Sequence, residues 1–89
     1  VATPFELRQL WFEPLLNSFL VVGTLSGKDV RFAVARAALN AFGWDACLNE
    51  AMKRVRAGER DFGIAPGVNG AGRGIVLWRI AGDAFRRSG

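Results

Sequence analysis

Ser26–Gly58 reads SGKDVRFAVARAALNAFGWDACLNEAMKRVRAG, and the period assigned to its apolar residues decides the fold. Ser26, with Asp29 three residues on, reads as an N-cap followed by an acidic first turn, which satisfies free backbone N–H groups and complements the helix dipole. Val30, Ala33, Val34, Ala37, Ala38, Ala41 and Phe42 recur at helical spacing, while Lys28, Asp29, Arg31, Arg36 and Asn40 fall largely on the other side. Gly43 is the stop. After Trp44, Asp45 caps a second helix with Leu48, Ala51, Met52 and Val55 on one face, closed by Gly58. The reading is two consecutive helices, 27–42 and 45–57. The second carries Lys53, Arg54 and Arg56 at its C-terminal end, where cations suit the dipole, and Glu50 stands four residues before Arg54.

On the N-terminal side, Thr3-Pro4-Phe5-Glu6 has the form of a capping box with proline at the first helical position. Phe5, Leu7, Leu10, Trp11 and Phe12 make this third helix apolar over much of its circumference. Pro14 kinks it or begins a second segment through Leu15, Leu16, Phe19 and Leu20. Leu20–Leu25 is either the end of that helix or a short strand. Beyond Gly58, Phe62 and Ile64 alternate with Asp61 and Gly63 as a strand that Pro66 closes. A glycine-rich stretch follows, 67–74, with Asn69-Gly70 as its turn dipeptide, and Ile75–Ile80 is the clearest strand in the chain. These two runs predict a β-hairpin, with one helical turn near Ala84–Arg87. The expected fold class is therefore α+β: a small, mainly helical domain of three to four helices followed by a C-terminal hairpin, in one domain over 1–89.

Composition bounds the chemistry. The 89 residues suit one modest core, yet 51% are hydrophobic and the mean hydropathy is positive, more apolar surface than one core of this size needs. That excess points to oligomerisation or a partner surface. The formal charge is +4, with ten of the 12 basic residues arginine, a side chain suited to bidentate contact with phosphate or carboxylate. The chain has no histidine, which removes the commonest metal ligand and general base, so no metal, cofactor or catalytic residue is expected. Cys47 has no partner for an internal disulfide and reads as a small buried hydrophobe on the second helix. Leu10–Leu25 is the greasiest window, but Glu13, Pro14, Asn17 and Ser18 interrupt it, and neither a membrane span nor a signal peptide is expected. A cytoplasmic location follows as an expectation.

Two functions compete. In the first, the chain is a non-enzymatic interaction or assembly module whose partner is another protein or a second copy, through an apolar face bearing Leu7, Trp11, Leu15 and Phe19 at helical spacing. In the second it binds nucleic acid. The expected order of helix, short strand, helix, helix, strand, loop, strand resembles that of the winged-helix family. This resemblance implies that Asn49, Lys53, Arg54 and Arg56 of the second helix of the pair meet the major groove or phosphates, with Asn69 and Arg73 of the glycine loop at the backbone or minor groove. Arg60 and Arg79 extend that basic set. The glycine stretch lacks the Gly-Lys-Ser/Thr and following helix of a phosphate loop, so a flexible hairpin tip is the reading preferred to a nucleotide site. Trp11, Trp44 and Trp78 are spread through the chain as core anchors, not gathered as a stacking platform.

Overall fold

The computed structural model describes residues 5–67 and 74–86. Three strands come first: β1, Phe5–Glu13; β2, Ser18–Leu25; and β3, Lys28–Ala35. Two helices follow, α1, Arg36–Phe42, and α2, Trp44–Arg56. The chain then returns to the sheet as β4, Phe62–Gly67, and β5, Gly74–Arg79, and a 3₁₀ turn, Gly82–Phe85, is the last described element. One five-stranded sheet in the order β1-β2-β3-β4-β5 organises these elements. Each sequential pair is antiparallel except β3 and β4, which are parallel and joined by the helical crossover that such a pairing requires.

This overturns the mainly helical expectation and its winged-helix-like order. Two α-helices, not three or four, are present among the described residues, and the sheet is the main element. The expected helix 27–42 is strand to Ala35 and helix only from Arg36. Ser26 is no N-cap: it and Gly27 have φ of 53° and 81°, the two left-handed positions of a tight hairpin turn between β2 and β3. The helical spacing of these residues has a physical source. Val30, Phe32 and Val34 point to the helix side of the sheet, and Ala33 to a second buried layer on the reverse, so apolar residues follow one another without a clean period of two.

The N-terminal helical segment is likewise a hairpin, β1–β2. Pro14 sits in its turn, where the Leu16 N–H donates to the Glu13 carbonyl at 3.2 Å and the Asn17 N–H to that of Pro14 at 3.1 Å. The Thr3-Pro4 half of the expected capping box lies outside the described residues, and Phe5 and Glu6 open a strand. Leu20–Leu25, open between two readings, is strand throughout. The second helix and the C-terminal hairpin are found close to where the sequence places them, although α2 begins at Trp44 with Asp45 inside its first turn and no side-chain cap, and Pro66 lies within β4, opposite Ile75, and does not close it. Gly43, at φ 84°, separates the helices, and its N–H closes α1 by donating to the Leu39 carbonyl at 2.9 Å.

Both faces of the sheet carry a core. On one, α1 and α2 lie over β3 and β4 and bury Val21, Phe32, Val34, Phe62 and Ile64 against Ala38, Cys47, Ala51 and Met52. Phe32 anchors this layer, stacked on Phe62 at 6.0 Å and tilted against Phe5 at 6.2 Å. On the reverse face the terminal 3₁₀ turn brings Phe85 onto Leu20, Ala33 and Ile80, with Trp11, Val22 and Trp78 packed round them. Arg31 holds the turn in place, its guanidinium 5.3 Å from the centre of the Phe85 ring and 3.0 Å from the Asp61 carboxylate. Trp44 packs against the helix-side core, so each tryptophan anchors one of the two layers.

Candidate functional site

The helices sit toward the β3–β4 half of the sheet, and this leaves the helix side of β1 open. Register fixes which β1 residues face that way. Phe5 pairs with Leu25, Leu7 with Gly23, Leu10 with Val21 and Phe12 with Phe19, all directed to the helix side. Glu6, Gln9, Trp11 and Glu13 face the reverse. The pairing skips between Leu7 and Gln9, so Arg8 is a bulge that shifts the alternation by one. Phe5 is tucked over Gly23, whose missing Cβ leaves room for the ring 2.7 Å from where that atom would lie. Beyond it Leu7 remains 49% exposed, Leu10 47% and Phe12 37%, with Phe12 edge-on to Phe19 at 5.0 Å.

The β1–β2 turn extends this surface. The Ser18 hydroxyl, the one buried polar side chain among the described residues, donates to the Leu16 carbonyl at 2.8 Å, and the Arg36 N–H donates to the Asn17 carbonyl at 3.1 Å. The turn is thus tied to the start of α1, with Leu15 94% exposed at its tip. β1 is also an edge strand, with β2 on one side and no neighbour on the other among the described residues. Apolar side chains therefore lie beside a row of open backbone donors and acceptors.

Of the residues expected on an interaction face, Leu7 and Leu15 belong to this surface. Trp11 lies on the reverse face, packed against the Leu20–Phe85 layer, and Phe19 is on β2, half-buried beside Phe12. Helical spacing had joined residues that a strand separates. Leu10 and Phe12 were missed as site residues, because the bulge at Arg8 moves the helix-facing set from odd to even numbers and no period of two runs through β1.

The basic set expected to meet nucleic acid is divided in the structure. On α2, Glu50 takes up both Lys53, at 3.7 Å, and Arg54, at 2.7 Å, while Asn49 is exposed nearby. Arg56 and Arg60 line a separate cleft of about 810 Å³ between the β2–β3 turn and the loop after α2, together with Lys28 and Arg31. Asp29, Glu59 and Asp61 line it too, so the charge there is mixed. Arg79 is exposed on β5, and Asn69 and Arg73 lie outside the described residues.

Cys47 is fully buried, its thiol 3.6 Å from the Ala38 carbonyl, and burial raises its pKa. That makes it a poor nucleophile. Among the described residues no group of three or more His, Cys, Asp or Glu side chains could hold a metal ion, and no helix is long and apolar enough to cross a membrane. Compared with protein-family models, curated proteins and solved structures, the chain matches none of them.

Proposed function

We propose that the chain is a non-enzymatic interaction module that assembles with another protein chain through β1. One observation carries this reading: a nine-residue edge strand whose backbone edge, open among the described residues, adjoins an exposed apolar stripe, Leu7, Leu10 and Phe12. Edge strands are ordinarily short, charged or covered, because an open row of N–H and C=O groups templates pairing with another strand. Here charge is confined to Glu6, Arg8 and Glu13. Covering the exposed parts of Leu7, Leu10 and Phe12 contributes roughly 2–4 kcal/mol, taking about 1.5–3 kcal/mol per fully buried side chain. Strand pairing adds direction and register to that gain.

Sedimentation over a concentration series, paired with hydrophobic-dye binding, tests the reading. Wild type is expected either to associate or, as a monomer, to bind dye at this face, and Leu10→Asp is expected to suppress whichever occurs without unfolding the domain. A monomer that neither associates nor binds dye would refute it.

A further inference from the structure

We propose that the occupant of β1 is a second copy of the chain, paired antiparallel about a two-fold axis at Trp11 so that two sheets join into one. The proposal rests on the interaction reading above and adds the partner and the register. Its first support is the geometry of the strand. Between the bulge at Arg8 and Pro14, which has no N–H to donate, the regular part of β1 is Gln9–Glu13, paired without interruption to Val22–Ser18. Trp11 is the midpoint of that segment. An antiparallel two-fold perpendicular to the sheet keeps each face on its own side, so a residue must stand opposite another of the same face. Centring on Trp11 meets that condition and uses the whole segment, whereas any other centre runs into the bulge or the proline.

The second support is what this register brings together. Leu10 of one copy falls opposite Phe12 of its partner, and the reverse, which joins the two helix-side stripes into one. On the reverse face Gln9 stands opposite Glu13, where its amide can donate to the carboxylate. Arg8, one residue beyond the segment at one end, and Glu13 at the other are of opposite sign, and the antiparallel arrangement brings each near the partner's unlike end where a parallel one would align like with like. The two-fold also counts every apolar side chain twice, which matters because association must first offset lost translational and rotational freedom.

The test uses wild type, Gln9→Lys and Gln9→Glu, which alter one exposed side chain that no core residue needs. Sedimentation velocity is expected to show a reversible wild-type dimer, tightened about five-fold by Gln9→Lys and weakened about five-fold by Gln9→Glu, since each change occurs twice opposite a Glu13 carboxylate. Hydrogen exchange at β1 is expected to slow as protein concentration rises. A dimer to which both substitutions are indifferent, or one with unprotected β1, overturns the proposed pairing. A monomer at high micromolar concentration with fast-exchanging outward amides on β1 overturns the self-pairing and leaves the wider interaction reading standing. A monomer in which those amides are already protected overturns both.

Discussion

Replacing Gly63 with alanine should destabilise the protein through one side chain, Trp78, and removing that side chain's reach should reverse the sign. Gly63 lies within β4 opposite Trp78 of β5, and the indole occupies the space a Cβ would take. A Cβ added at Gly63 would overlap Cζ2 of Trp78 and lie 2.5 Å from Cη2, closer than real Cβ contacts come. The ring has little room to retreat, because it is packed against the Leu20, Ala33, Ile80 and Phe85 layer. Overpacking of this kind costs about 1–3 kcal/mol, while alanine in place of a strand glycine gains roughly 0.5–1 kcal/mol by restricting the unfolded chain. Gly63→Ala alone should therefore lose up to about 2.5 kcal/mol. In a Trp78→Leu background, where the shorter side chain ends before the atoms that cover Gly63, the same substitution should be neutral or stabilising. The coupling energy of the cycle is expected at roughly 1–3 kcal/mol. Urea unfolding followed by far-ultraviolet circular dichroism gives all four stabilities without relying on tryptophan fluorescence. Additivity within about 0.5 kcal/mol would refute the packing of Trp78 on Gly63, and with it the register of β4 and β5.

Two further predictions concern the core and the hairpin turn. Burial holds the Cys47 thiol above its ordinary pKa of 9.0, so its contribution to stability is complete below that value and declines as pH rises beyond it, where the unfolded chain ionises first. Denaturant titrations between neutral pH and the high alkaline range should show this decline, and Cys47→Ala should flatten it; identical slopes for the two proteins would contradict the buried thiol. Ser26→Asn should stabilise the domain by about 0.5 kcal/mol, because Asn-Gly suits a turn with two left-handed residues better than Ser-Gly does. A measured loss of stability in thermal unfolding would place Ser26 in some other conformation.

Local signals survive where one element has one buried face or a distinct punctuation mark. The stripe Leu48, Ala51, Met52 and Val55 specifies α2 by itself, Gly43 stops α1, and the runs around Ile64 and Leu77 announce the C-terminal hairpin, since each rests on neighbours within a few residues. The burial of Cys47 was readable for the same reason, from its place on the apolar side of α2. What the sequence left ambiguous is the meander β1–β2–β3. Burial on both faces erases the alternation in Phe32-Ala33-Val34, the bulge at Arg8 breaks it in β1, and a helical period then fits the remaining apolar residues. Only the tertiary structure decided that Val21 meets Phe32 and Phe32 meets Phe62, because strand pairing is settled by partners distant in the chain. It also decided the candidate site: Leu10 and Phe12 are exposed because α1 and α2 come to rest over β3 and β4, a placement that no residue of β1 encodes.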